Sequence, residues 1–290
     1  MTQAVPLGEL SHGREWADAL ERAAAWVAEL RSAESTAARL RALTSRKALG
    51  DLRTLARRLP RVEAAFSDSP AGAELRNWFG PGRVLPLDRA PVALLRLPAT
   101  AAEYLRGRPK QALRTNLTRA REAGLRCAPA ASAEQVWDCV HRIAARRGQT
   151  AEHVVLRRPR PGLVRDFAIA WDAAGEPVAL VETIVDREWA GLAVLVSAHG
   201  HPDALLARYL LLAHAVEALI ERQVRVLVVG GSMLLTEPGV RYFQRRTGFV
   251  PVWLRPTRAG APVARHERLA GPPTLGLEDL LSAVRVSQEA

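Results

Sequence analysis

Residues 176–249 read EPVALVETIVDREWAGLAVLVS, then AHGHPDALLARYLLLAHAVEALIERQ, then VRVLVVGGSMLLTEPGVRYFQRRTGF. Val178–Val185 and Trp189–Ser197 are apolar runs joined by the short turn Asp186-Arg187-Glu188, which predicts an antiparallel pair. Just upstream, Phe167, Ile169 and Trp171 alternate with their neighbours and end in Asp172-Ala-Ala-Gly175, adding a third strand to the meander. His201-Pro202-Asp203 opens a long helix, with proline suited to its first position. Leu205, Tyr209, Leu212, Val216 and Leu219 form the buried seam of that helix. Val224–Val229 is almost wholly apolar, as expected of a strand covered on both faces, and Gly230-Gly231 ends it. A short helix then closes on Tyr242-Phe243-Gln244-Arg245-Arg246-Thr247-Gly248-Phe249.

Working outward, Pro91–Leu97 reads as the first strand of the main domain. Pro109–Gly124 reads as a helix with Leu113, Leu117 and Ala120 on one face and Lys110, Arg114 and Arg121 on another; Gly124 is its C-terminal stop. Leu125–Ala128 is a short strand. Ser132 with Gln135 forms a capping box for a helix whose apolar face is Val136, Val140 and Ile143. Near the N-terminus Trp16, Leu20, Ala23, Val27 and Leu30 repeat at helical spacing, and Leu40, Leu43, Leu52, Leu55 and Leu59 continue the pattern. Gly50-Asp51 is expected to break that second stretch, giving a helical hairpin or three-helix unit. Pro60, Pro70, Gly80-Pro81-Gly82 and Pro86 punctuate what reads as a connecting region. The expected division is a helical N-terminal region (1–86), a main domain (87–256) and a Pro/Gly-rich tail (257–290) with a short helix at Leu277–Val284.

A chain of 290 residues, 48% apolar and 24% charged, can bury a real core and is not of disordered composition. The net charge of +11 and pI of 11.0 suit a polyanionic partner. All basic residues but Lys47 and Lys110 are arginine, and with abundant alanine this also fits the codon bias of a GC-rich genome. Cys127 and Cys139 are isolated, which gives neither a disulfide framework nor a zinc site and fits a reducing cytoplasm. Met1–Trp16 has no apolar core of a signal peptide. Ala204–Ile220 contains Arg208, His214 and Glu217, which are costly inside a bilayer, so no membrane span is expected.

Over about residues 90–255 this order resembles the GNAT acyltransferase superfamily, and within it the Fem-type aminoacyl transferases. Arg114-Thr-Asn116-Leu-Thr-Arg119-Ala120-Arg121-Glu-Ala-Gly124 is similar to the Fem-type helix R-x-N-x-x-x-A-x-x-x-G, and Phe243–Phe249 is similar to that group's F-K-x-x-F-G ending. The resemblance implies an α+β fold: a single GNAT-like mixed sheet flanked by helices, preceded here by the helical N-terminal region. It implies a slot where Trp189–Ser197 and Val224–Val229, as parallel neighbours, splay apart. Acetyl-CoA-dependent members usually carry Q/R-x-x-G-x-G/A before the long helix, where backbone N–H groups hold pyrophosphate. Here Ser197–Leu205 lacks that glycine spacing and puts Asp203 where phosphates would sit. Gln244 stands where many members have tyrosine, and it cannot donate a proton in catalysis.

Acyl transfer to an amine needs proximity, a proton acceptor and a donor to the oxyanion. Three candidates for the chemistry follow. Glu182, among Val178, Leu180 and Ile184, is either a carboxylate of raised pKa, like those GNAT enzymes use as a base, or half of a buried salt bridge to one of the many arginines. His199 is a second candidate base, and Tyr242 supplies a hydroxyl. Ser197, Arg208, Ser232 and Gln244 are candidate substrate contacts. His201 reads as a helix cap and Tyr209 as core. Arg106, Arg108, Lys110, Arg114, Asn116, Arg119 and Arg121 form a candidate phosphate or nucleic-acid face. The expected protein is a cytoplasmic N-acyltransferase with no metal and no tightly bound cofactor. Its donor co-substrate would be aminoacyl-tRNA, slightly favoured, or acyl-CoA; its acceptor would be a small-molecule or peptide amine. The helical N-terminus would serve as a basic arm or lid. The alternatives are a CoA-dependent N-acetyltransferase and a catalytically degenerate fold that only binds.

Overall fold

The computed structural model describes residues 14–35, 44–80, 91–151 and 162–259. The elements begin with α1 (Arg14–Ser32), α2 (Arg46–Arg58), β1 (Arg61–Phe66), α3 (Pro70–Phe79) and β2 (Val92–Arg96). They continue with α4 (Ala101–Tyr104), α5 (Gln111–Glu122), β3 (Arg126–Pro129), α6 (Ala133–Arg146), β4 (Asp166–Trp171) and β5 (Pro177–Asp186). The chain then forms β6 (Trp189–Ser197), α7 (Ala204–Glu221), β7 (Val226–Val229), α8 (Pro238–Thr247) and β8 (Val250–Arg258). Eight strands make one mixed sheet in the order β1-β8-β2-β7-β6-β5-β4-β3. β1 and β8 are parallel, as are β6 and β7; every other pairing is antiparallel.

Alternation along the strands sends apolar residues to both faces, because helices cover both. On one face Leu95, Leu192, Leu227, Val181 and Ala168 pack beneath α1, α2, α5 and α7 in a continuous core. On the other, Leu94, Ile184, Val228 and Val252 meet Leu75, Trp78 and Phe79 of α3. Further along that face Ile169 and Leu180 meet Val140 and Ile143 of α6. Gly191 is what lets α3 lie this close: a Cβ there would stand 2.5 Å from both Leu75 and Trp78. The expected capping box forms, with Gln135 N–H donating to Ser132 Oγ at 3.2 Å; the Gln135 side chain accepts from Ala131 N–H at 2.7 Å.

Several expectations are corrected. The stretch read as a connecting region holds a strand and a helix. β1 pairs in parallel with β8, and Ser69 caps α3 with Pro70 in its first turn. Asp186, at the β5–β6 turn, accepts from Ser67 N–H at 2.7 Å and from the hydroxyls of Ser67 and Ser69, fixing the β1–α3 corner to the sheet. Gly50 does not break α2, which runs unbroken through it from Arg46 to Arg58. Asp51 is instead buried against Arg22 of α1 at 2.7 Å. Helices α1 and α2 are not an arm, since their seam belongs to the main core and Arg241 of α8 pairs with Glu21 at 2.6 Å. α7 begins at Ala204, two residues after Pro202, and its first-turn Leu205 is 54% exposed and outside the seam. Leu40, Leu43 and the tail helix lie outside the described residues.

The two segments that carry the resemblance meet at the end of α8. Thr247 C=O accepts from Lys110 Nζ at 2.5 Å and from Tyr104 Oη at 2.9 Å. Gly248 is left-handed (φ 98°), and a Cβ there would collide with the Lys110 amine. Burial lowers the Lys110 pKa to about 8.

Two stability predictions follow from this packing. Gly191→Ala is expected to lower stability by about 1–3 kcal/mol through overpacking, seen as a lower urea midpoint at unchanged slope; an unaltered midpoint refutes the close approach. For Lys110 the folded pKa lies below the unfolded 10.5, so above about pH 8 the unfolded chain binds the extra proton and stability rises with pH. The difference in unfolding free energy between wild type and Lys110→Met should therefore rise from pH 8 to 10.5. Using the difference removes the opposite trend expected of Cys127 and Cys139, whose pKa values burial raises to about 11 and about 12.

Candidate active site

β6 has nine residues and β7 has four. Their parallel pairing runs from Trp189↔Val226 to Leu192↔Val229, and Gly230 N–H closes it on Leu192 C=O at 3.3 Å. Beyond that point Gly230-Gly231 carries the chain away and Ala193–Ser197 has no ladder partner on that side. A bulge sits at the same level: Glu182 faces Val194 and Thr183 faces Leu192, so Ala193 is the extra residue. Ala198 N–H donates to Val178 C=O at 2.7 Å. By alternation Val196 and Val194 also face β5, while the N–H groups of Leu195 and Ser197 point into the gap. The strands therefore part where the resemblance implies a slot, with two backbone donors lining it.

Cations collect at the mouth of this gap. Arg147, just after α6, donates to Ser197 C=O at 3.4 Å and to Gln149 Oε1 at 3.0 Å. Arg208 on α7 is half-buried, with its guanidinium carbon 5.2 Å from the centre of the Phe243 ring. Its Nε is buried with no hydrogen-bond acceptor among the described residues. Burial first, then the charge of Arg147, presses its pKa down, against smaller opposing effects from Glu237 and Tyr209. Arg208 thus carries a burial cost, to which the like charge of Arg147 adds. An incoming anion would relieve that cost.

Around them stand two phenols. Tyr209 is core, as expected, its ring 4.9 Å from that of Phe243; burial raises its pKa. Tyr242 is half exposed, its ring lies under the Arg246 guanidinium, and its Oη accepts from Arg246 Nε at 3.0 Å. His199 is exposed on the β6–α7 turn. His201 has the cap-like role expected of it: Nδ1 accepts from Asp203 N–H at 3.1 Å and Nε2 reaches Asp172 at 3.3 Å. Asp172 has a lowered pKa, chiefly because it accepts from Glu176 N–H and then because of His201.

Other predicted residues are engaged elsewhere. Glu182 is level with the root of the gap but only 1% exposed, and it pairs with Arg165 at 3.1 Å. It is thus a buried ion pair with an arginine, one of the two roles its apolar neighbours left open, and not a free base in this conformation. Ser232 is buried and its Oγ accepts from Leu234 N–H at 3.2 Å, shaping the turn after β7. Gln244 is buried, and its Oε1 meets no donor among the described residues. In the Arg-rich segment Lys110 serves α8. Arg114 donates to Leu105 C=O at 2.6 Å and Gly107 C=O at 2.9 Å, and Asn116 donates to Ala112 C=O at 2.8 Å. Arg106, Arg108, Arg119 and Arg121 are exposed. Neither Arg147 nor Arg165 stood out in the sequence: one follows a helix end among other arginines, the other precedes a strand, and neither sits in a periodic pattern. Among the described residues no three His, Cys, Asp or Glu gather as metal ligands, and no helix is long and apolar enough to cross a membrane.

The chain matches no protein-family model and no curated protein. Among solved structures it is similar to L-PGS from Bacillus licheniformis, at 11% identity over 57% of this chain and 58% of that one, with a TM-score of 0.40. It is also similar to a GCN5-related N-acetyltransferase from Kribbella flavida (19% identity, 56% of this chain and 54% of that one, TM-score 0.33). A third is a tandem GNAT protein from the clavulanic acid biosynthesis pathway (15% identity, 72% and 68%, TM-score 0.36). The chain spans less than two thirds of the first two. Likeness of this degree carries no chemistry.

Proposed function

We propose that this protein is a GNAT-like N-acyltransferase of the Fem-like kind, which moves an acyl or aminoacyl group from an activated carrier to an amine at the gap between β6 and β7. The observation that carries this reading is the pairing of that gap with the Arg147 and Arg208 cations at its mouth. Backbone donors face the space where a carbonyl would enter, and the cations would hold the anionic carrier beside it. The amine nitrogen bonds to the carbonyl carbon, and the bond from that carbon to the carrier then breaks. The N–H groups of Leu195 and Ser197 stabilise the oxyanion formed in between. Tyr242 protonates the departing carrier atom, and His199, open to solvent at the end of β6, takes the proton released by the amine. Glu182 takes no part while Arg165 covers it.

Aminoacyl-tRNA is the donor favoured here. The turn before α7 has Gly200 but lacks the glycine spacing of a pyrophosphate cradle, and it places Asp203 at the helix N-terminus. Arg106, Arg108, Arg119 and Arg121 remain exposed for a longer phosphate backbone.

The test is transfer from charged tRNA, and in parallel from acetyl- and long-chain acyl-CoA, to a panel of amines by the purified full chain. RNase-sensitive product is expected. Arg208→Met should lower kcat/KM about 10- to 100-fold, the size of a lost charge-assisted contact. Tyr242→Phe should lower kcat about 100-fold or more with folding intact. Transfer from acyl-CoA alone refutes the tRNA donor, and full activity in both variants refutes this site.

A further inference from the structure

A cavity of about 920 Å3 lies beside the C-terminal half of α7. That volume is within the range of small-molecule sites. It wraps around the edge of the sheet. Val136, Val140 and Phe167 line it from the α6 face, whereas Ala168, Val181 and Ala215 line it from the α7 face. This is possible because β3 ends at Pro129, opposite Ala168, so among the described residues no strand pairs with Asp166 and Phe167 on that edge. A rigid planar ligand cannot turn that edge; a flexible chain can.

Its charged side chains Arg165, Asp166 and Arg222 are ion-paired. Asp166 pairs with Arg222 at 2.5 Å and lies opposite Thr183 on β5; next to it Arg165 pairs with Glu182 at 3.1 Å. Phe167 C=O at the open edge already accepts from Ala130 N–H at 2.8 Å. The ion pairs are neutral, so the depth calls for no charged ligand. A peptide would bring buried N–H and C=O groups that these walls do not match. At the rim Trp137 is 45% exposed, an apolar surface turned toward the entrance.

From these features we infer that this cavity is a binding site for a single unbranched acyl chain, its polar head at the Asp166–Arg222 end and its methylenes folded around the edge of β4. The inference does not use the acyl-transfer reading, because no residue lining the cavity is among those assigned a role at the gap.

The experiment is titration of the delipidated full chain with saturated fatty acids of 8 to 16 carbons and with monomeric lysophosphatidylcholine, followed by calorimetry and by tryptophan fluorescence. Saturable binding is expected, tightening about fourfold for each added methylene until the cavity is filled. Binding of the fatty acids alone or of both ligands supports the site and reports whether the head matters. Ala218→Phe, which fills the α7 wall, should weaken binding at least tenfold. Ala133→Trp, on an exposed rim position that leaves the core untouched, should do the same, so a misfolded first variant does not decide the matter. No saturable binding, affinity indifferent to chain length, equal affinity for a compact aromatic such as naphthalene sulfonate, or binding unaffected in the folded rim variant would each overturn the proposal.

Discussion

The unequal length of two neighbouring strands is the constraint on which the rest of the candidate site depends. β6 continues five residues past the last partner that β7 offers, because Gly230-Gly231 leaves the sheet there. Backbone N–H and C=O groups are obligatory hydrogen-bonding groups, so an opening inside a sheet is a place where something must be accepted. Ser197 C=O has already taken Arg147. A gap of this kind needs no special side chain to exist. It is a property of where the ladder stops.

What keeps the opening in shape is the fastening of distant segments to α8. Its C-terminal carbonyl at Thr247 is capped by Lys110 and Tyr104, and its buried Arg241 holds Glu21 of α1. Phe243, on the same helix, supports both Tyr209 and Arg208. One short helix therefore ties the N-terminal helices, the Arg-rich segment and the floor of the cationic cluster together. Gly248 is required there twice over, for its left-handed backbone and for the space given to the lysine amine.

The periodic elements were legible in the sequence because their signal is local. Leu113, Leu117 and Ala120 are buried on α5, and Val136, Val140 and Ile143 on α6, as helical spacing requires. The strands of the meander alternate and pair as their short turns demand. Where expectation failed, a non-local partner decided. Pro60–Gly80 carries strong turn residues, yet it gains a strand because β8, nearly 200 residues later, offers an edge for parallel pairing. Leu205 fits the α7 period but lies in a turn of helix that nothing covers.

By itself the sequence determined the order of the main elements from β2 to α8, the buried stripe of most helices and the point where β7 must end, since propensity, period and glycine geometry are properties of neighbouring residues. The charge states and accessibility of the site belonged to the tertiary structure alone. Glu182 reads as a carboxylate among apolar residues, and only folding brings Arg165 onto it. Arg147 and Arg208 are two arginines among many until α6 and α7 converge on the end of β6. Electrostatic interaction depends on distance and on exclusion of water, and neither quantity is written along the chain.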